Sequence, residues 1–160
     1  MTVRVDVQRA CTDAAVPADD VIRYWVERAI GFAAAGRNAE VSIRVVDVDE
    51  IRELNRAYRD RDRPTNVLSF PAGPFAGLPA DEPAPLGDIV VCAQVVADEA
   101  AGRGKPVADH WAHMLVHGTL HLLGFDHEAD EEAAAMEALE ARILAAHGVP
   151  DPYKAGAKNC

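Results

Sequence analysis

Alternating apolar and polar residues predict short strands in the first part of the chain. In residues 3–8 and 41–45, a valine or isoleucine alternates with a polar residue, which is the two-residue period of a strand with one buried face. Two further brief runs rich in β-forming residues lie at 66–70 and 88–92. The sequence therefore predicts four strands.

Helical periodicity marks the segments between and after these runs. Apolar residues recur at three- and four-residue spacing from Pro17 to Gly36, and a short arginine-rich helix begins near Asp49. Beyond the last strand the pattern is helical throughout, with segments at 94–102, 107–123 and 128–146. Four strands with helices outside them predict an α+β (α/β layered) fold, with a mixed sheet of about four strands packed against helices.

Two stretches fit neither period. Residues 71–86 hold five of the ten prolines and two glycines, so we expect a long exposed loop that forms a mobile lid or an insertion. Residues 150–160 offer little to bury and are predicted to be a flexible tail. The remainder, residues 1–149, is predicted to be a single domain.

Composition narrows the classes of function. The chain has 160 residues, 49% of them hydrophobic, and a formal net charge of −10, so one compact core is expected. This charge argues against a broad electrostatic grip on nucleic acid or anionic lipid, and a bound polyanion must meet a local basic patch. Three widely spaced cysteines without a CxxC pair, no secretory signal and no bilayer-length apolar run predict a cytoplasmic protein without membrane contact.

The most informative motif is HxxxHxxGxxH, from His117 to His127. On a helix, residues four apart lie on one face, so His117 and His121 present two imidazoles together. Gly124 allows a sharp turn out of the helix, after which His127 can return toward the same pair. The motif predicts a single divalent cation bound by His117, His121 and His127.

Three imidazoles leave a fourth tetrahedral position open, which distinguishes catalytic from structural zinc sites. A water in that position has a pKa of about 7, which favours hydrolysis. Zinc is the first expectation, with nickel as an alternative that the same ligands accept. The spacing matches that of metzincin peptidases, so the helix is expected to be zincin-like.

One position argues against peptide cleavage. In HExxH enzymes the residue after the first ligand is the glutamate that activates water, but here it is Gly118. A phosphodiester has a better leaving group than an amide. Its hydrolysis therefore needs only a metal-bound hydroxide and a positively charged side chain on the phosphate. A metallopeptidase or amidase whose base is Glu128 or Asp126 remains the alternative.

Three blocks resemble the YbeY family of bacterial rRNA-maturation endoribonucleases: LNRAYR with the following PTNVLSFP in residues 54–71, LGDI at 86–89, and residues 110–127. The resemblance implies single-strand-specific cleavage of RNA in small-subunit rRNA maturation and ribosome quality control. It also implies the small ribosomal subunit as a partner, with the Era GTPase as a further candidate. A factor that only binds metal on the ribosome is the third hypothesis.

The functional arginine of this family corresponds to Arg59. From the residues alone, four arginines at intervals of four, three and four share one helical face: Arg52, Arg56, Arg59 and Arg63. Such a face can hold phosphates, but the interleaved carboxylates also fit a salt-bridged, solvated surface. With the resemblance, Arg59 and His117 are the residues predicted to act in catalysis.

Two neighbours of the motif have open interpretations. His113 shares the face of His117 and is expected to orient a ligand or to pack in the core rather than to bind metal. Asp126 either orients a ligand histidine or takes a turn conformation that aspartate tolerates.

Overall fold

A four-stranded mixed sheet organises the molecule. The computed structural model describes residues 2–11, 15–73, 83–126 and 128–153. The strands are β1 (Val3–Arg9), β2 (Ala39–Val46), β3 (Val67–Pro71) and β4 (Ala84–Cys92), in the spatial order β1-β2-β4-β3. β1, β2 and β4 are parallel, whereas β3 runs antiparallel to β4 along one edge. The predicted α+β fold with a mixed four-stranded sheet is confirmed.

Five helices accompany this sheet in the described part of the chain: α1 (Asp19–Ala33), α2 (Val48–Arg59), α3 (Ala93–Gly102), α4 (Val107–Leu122) and α5 (Asp130–Ala146). α4 lies at the centre and contacts α1, α3, α5, β3 and β4. Trp111, Leu115 and Leu120 are among its fully buried side chains. A helix that is apolar around most of its circumference belongs inside a layered domain, so α4 is a rigid support for the residues it carries. None of the described helices has the length and apolar character to cross a bilayer.

Both ends of the proline-rich stretch are strand, which corrects the prediction of a loop over 71–86. β3 includes Pro71, and β4 begins at Ala84 and includes Pro85. Pro85 pairs with β2 only, because β3 reaches no further than the Pro71–Gly87 pair. The missing N–H of Pro85 therefore costs no hydrogen bond on the side of β4 that faces β3. Residues 74–82, the centre of the predicted lid or insertion, lie outside the described residues.

α2 ends at Arg59, so Arg63 does not share its helical face. Asp47 caps the start by accepting a hydrogen bond from the backbone N–H of Glu50 at 2.9 Å. Asp60 adopts a left-handed conformation with φ 58° and stops the helix. The side chain of Asn55, which is buried, donates to the carbonyl of Arg63 at 2.8 Å and fixes the loop that follows.

Candidate metal centre

His117 and His121 meet near the C-terminal end of α4, where both side chains are half-buried. Their Nε2 atoms lie 3.2 Å apart, and their ring centroids are 4.6 Å apart. A tetrahedral zinc ion with Zn–N bonds near 2.0–2.1 Å separates two ligand nitrogens by about 3.3 Å. The donor chemistry and the spacing of this pair therefore fit a shared cation.

The chain leaves α4 as the motif predicts. Gly124 has φ +100°, a conformation that favours glycine, and the N–H of Phe125 donates to the carbonyl of Leu120 at 3.0 Å. α4 thus ends at Leu122, five residues before His127. His127 itself lies outside the described residues, so its role as the third ligand stays a prediction.

Glu140 of α5 fixes the other side of the His117 ring. Its carboxylate is fully buried and accepts a hydrogen bond from His117 Nδ1 at 2.9 Å. Burial raises the pKa of Glu140, but the neighbouring rings of His113 and His117 outweigh it and bring the pKa to about 2. Glu140 is therefore ionised at neutral pH. A carboxylate behind a histidine commonly orients a metal ligand.

Tyr153 joins this buried group from the segment predicted to be a flexible tail. Its hydroxyl lies 2.9 and 2.8 Å from the two oxygens of Glu140 and 3.0 Å from His113 Nε2. Burial and the nearby carboxylate raise the pKa of Tyr153, so the hydroxyl keeps its proton. Burial lowers the pKa of His113, which favours a neutral ring, although Glu140 opposes this. Residues 154–160 lie outside the described part of the chain.

The same buried group is itself a possible cation site. One donor atom each from His113, His117 and Glu140 lie within 4.8 Å of one another. The two nitrogens of the His117 ring thus meet different candidate ligands: Nδ1 meets Glu140, and Nε2 meets His121.

An open cleft of about 680 Å³ lies on the Nε2 side. Its lining joins the end of α4 to the β3 edge and includes His117, His121, Arg59, Asp126 and Glu128. Arg59, predicted from the arginine-rich block, is thus in the same cleft as the histidine pair. The interpretation of Asp126 stays open between ligand orientation and a turn role.

β3 holds the Arg59 side chain in place. The guanidinium donates from Nη2 to the carbonyl of Ser69 at 2.6 Å and lies 5.7 Å from the centre of the Phe70 ring. A guanidinium of this kind keeps further N–H donors for phosphate oxygens. The sheet edge therefore positions the cation of Arg59 at the cleft.

The other α2 arginines differ from Arg59 in their partners. Arg52 pairs with Asp62 at 2.8 Å, and Arg56 pairs with Glu53. Arg59 has no carboxylate at salt-bridge distance among the described residues. The salt-bridged surface is therefore the correct interpretation for Arg52 and Arg56.

Gly118 lets α4 approach the sheet closely. A Cβ atom at this position would lie 3.0 Å from Cγ2 of Ile89 and 3.2 Å from Oγ of Ser69. The Ser69 hydroxyl donates to the Gly118 carbonyl at 3.0 Å. A glutamate here would have its side chain pressed against the sheet, so this position is built for packing and supplies no base.

The family comparison agrees with these observations. A family model described as Endoribonuclease YbeY matches residues 7–148. The chain belongs to the YbeY family. Proteins named Endoribonuclease YbeY are 60% identical in Halorhodospira halophila (88% of this chain, 90% of the relative) and 50% identical in Alcanivorax borkumensis (95% and 87%). The Pseudomonas putida relative is 52% identical, over 94% of this chain and 93% of its own.

A solved structure supports the fold. The solution structure of TM1509 from Thermotoga maritima aligns with a TM-score of 0.56, at 23% identity, over 96% of this chain and 99% of that protein. At this identity the likeness to TM1509 concerns the fold alone, and the YbeY assignment depends on the sequence matches.

Sequence reasoning missed Glu140 and Tyr153. A signal for Glu140 was present, because it shares the buried stripe of α5 with Met136, Ile143 and Leu144. A carboxylate on an apolar stripe is expected to have a buried partner. Tyr153 carried no comparable signal, since it follows a turn in a segment rich in proline.

Proposed function

We propose that this protein is a metal-dependent endoribonuclease that hydrolyses phosphodiester bonds of single-stranded RNA. The observation that carries the proposal is the facing pair of Nε2 atoms of His117 and His121, in one cleft with Arg59. The endoribonuclease name of relatives at 50–60% identity supports the choice of RNA as substrate.

The residues have distinct tasks in this proposal. His117, His121 and His127 hold one divalent cation, zinc in the first place and nickel as the alternative. When bound, the cation activates a water and stabilises charge on the phosphate. Arg59 binds the non-bridging phosphate oxygens and stabilises the charge that develops on them. Hydrolysis bonds the water oxygen to phosphorus and breaks the phosphorus bond to the leaving sugar oxygen, which takes up a proton.

Family membership supports a proposal for the biological setting. We assign the activity to small-subunit rRNA maturation and ribosome quality control in the cytoplasm, with the small subunit as partner and the Era GTPase as a second. Cosedimentation of purified protein with small subunits, but not with large subunits, is the expected result.

The test compares variants on a labelled single-stranded RNA. His117→Ala and His121→Ala are expected to lose bound metal and cleavage together. Arg59→Gln is expected to keep its metal and lose roughly 100-fold or more in cleavage rate. Arg56→Gln is the matched control, because Arg56 lies on the same helix but pairs with Glu53 outside the cleft.

The alternatives give different results in the same assay. Cutting of casein but not RNA would replace the proposal with a metallopeptidase that uses Asp126 or Glu128. If metal binds but neither polymer is cut, the protein is a metal-binding ribosomal factor. Chelator-resistant RNA cutting that survives in His117→Ala would also overturn the proposal.

A further inference from the structure

Four polar groups form a hydrogen-bonded network behind the His117–His121 pair. Glu140 lies at its centre and is 0% exposed. Its carboxylate meets His117 Nδ1 at 2.9 Å, the Tyr153 hydroxyl at 2.8 Å and His113 Nε2 at 3.4 Å. Three elements meet here, because His113 and His117 come from α4, Glu140 from α5 and Tyr153 from the turn after α5.

The protons in this network follow from donor chemistry. Carboxylate oxygens accept hydrogen bonds, and those of Glu140 lie 2.9 Å from His117 Nδ1 and 2.8 Å from the Tyr153 hydroxyl, so both groups donate to Glu140. The hydroxyl has one proton, so its oxygen accepts from His113 Nε2 at 3.0 Å. An imidazole that binds a metal keeps one N–H, so with this proton on Nδ1 the ligand atom of His117 is Nε2, which faces His121 Nε2 at 3.2 Å.

We propose that Glu140, held by Tyr153 and His113, is a positioning residue that fixes His117 as its Nδ1–H tautomer and makes Nε2 the metal-binding atom. This role presupposes the metal site proposed above and assigns no ligand function to His113 or Glu140. A carboxylate that orients a ligand histidine also raises the basicity of the ligand, so metal affinity depends on it.

The geometry favours this role over a metal bound among His113, His117 and Glu140. A cation there would replace the proton on His117 Nδ1 and break the hydrogen bonds that satisfy the buried carboxylate. His113 and Glu140 are 5% and 0% exposed, and the cavity on this side measures about 290 Å³, against about 680 Å³ for the cleft that contains Arg59. The Nε2 side opens into the cleft that also contains Arg59.

The experiment uses metal-stripped, full-length protein and two conservative variants. Glu140→Gln keeps the shape and removes the charge, whereas Tyr153→Phe removes only a hydroxyl from a side chain that is 43% exposed. Affinity for Co²⁺ and Zn²⁺ is measured by competition with a chromogenic chelator. We expect Glu140→Gln to bind roughly 10- to 100-fold more weakly, and Tyr153→Phe to fall toward the lower end of that range.

Two matched controls remove a tyrosine hydroxyl and a glutamate charge at sites away from His117. Tyr24→Phe deletes a hydroxyl that contacts His147 at 2.7 Å, and Glu99→Gln neutralises a carboxylate that contacts His110 on α4 at 2.8 Å. Both controls are expected to bind metal as tightly as the original protein. Should they weaken binding as much as the two test variants, general destabilisation would explain the loss and the positioning role would be rejected.

Two spectroscopic readouts separate positioning from ligation. The Co²⁺ absorption spectrum should keep its shape in both variants, and ¹⁵N NMR of the His117 ring should show the Nδ1–H tautomer in the original protein and a mixture in Glu140→Gln. A changed Co²⁺ spectrum would make Glu140 a ligand and overturn the inference. If the original protein binds no metal, the proposed function fails, whereas the tautomer still decides the role of Glu140. If both variants bind metal as tightly as the original protein, the positioning role of Glu140 is refuted, while the proposed function is unaffected.

Discussion

The histidines of α4 differ in function because each ring meets different groups. His110 is fully buried, and its Nε2 lies 2.8 Å from Glu99 of α3, away from the cleft. His117 meets Glu140 on one side and His121 on the other. Glu99 thus joins α3 to α4, whereas Glu140 lies against the ring that we propose as a metal ligand. Residue type alone does not separate these roles, since both are histidine–carboxylate pairs.

The His110–Glu99 pair predicts a pH-dependent stability. The hydrogen bond from His110 lowers the pKa of Glu99, burial opposes this, and Asn66 and Arg103 add to the lowering. A lowered carboxyl pKa stabilises the fold above the ordinary carboxyl range, and this contribution is lost as the pH falls through the lowered value. Glu99→Gln should therefore destabilise by about 1–2 kcal/mol at pH 7 and by progressively less in acid.

Urea unfolding of metal-stripped protein between pH 7 and pH 3 measures this difference. Glu53→Gln is a suitable comparison, because its carboxylate pairs with Arg56 at the surface and should contribute little. A difference between Glu99→Gln and the original protein that stays constant with pH would contradict the assignment.

At the scale of elements, the β3–β4 pair determines where Arg59 lies. Gly87 of β4 has φ +140°, and a Cβ atom there would lie 2.2 Å from the carbonyl oxygen of Phe70. Both the conformation and the close approach require glycine. β3 carries the Ser69 carbonyl that accepts from Arg59, so strain at Gly87 should reach the cleft through that strand.

Gly87→Ala is predicted to destabilise by about 2–4 kcal/mol, since a strained conformation and an overpacked contact combine. RNA cleavage at low temperature should fall more than metal affinity does. The reason is that Arg59 is held by β3, whereas His117 and His121 belong to α4. Gly73→Ala is the control, with a similar positive φ of +83° and nothing within 4 Å of an added Cβ. Equal losses in both variants, measured by thermal unfolding and cleavage assays, would show that contact with Phe70 is unimportant.

The elements were predictable where the signal is local. The periods of two and 3.6 residues predict the strands and helices, and the i, i+4 spacing predicts that His117 and His121 share one face. The family resemblance identifies Arg59 as the functional arginine, and its side chain lines the cleft. In contrast, the prolines predict a loop at Pro85, which lies in β4, because a pattern of prolines does not show that the neighbouring strand ends before it.

Contacts between distant elements were not predictable. Glu140 and Tyr153 lie 23 and 36 residues beyond His117, and their meeting depends on how α5 packs against α4. Periodicity gives the buried face of a helix but not the partner that covers it. The network behind the metal ligand therefore needed three-dimensional information.

At the scale of the whole molecule, the net charge of −10 opposes RNA binding. The cleft itself is not strongly basic, because Arg59 and Arg61 are balanced there by Asp126 and Glu128. A divalent cation would make the cleft positive. We therefore expect the metal to contribute to RNA affinity as well as to the cleavage step.

Salt dependence tests this view of the cleft. Two arginines that each neutralise one phosphate give a slope of log affinity against log salt of roughly −1.4 on single strands. Fluorescence anisotropy with labelled RNA, over times at which cleavage is negligible, should show this shallow slope, and Arg59→Gln should reduce it by about 0.7. Chelation should weaken binding at every salt concentration, whereas Arg56→Gln should leave both slope and affinity unchanged. A slope of about −4 or steeper would mean that RNA also contacts basic residues outside this cleft. If chelator leaves the RNA affinity unchanged, the cation acts only on the reacting phosphate.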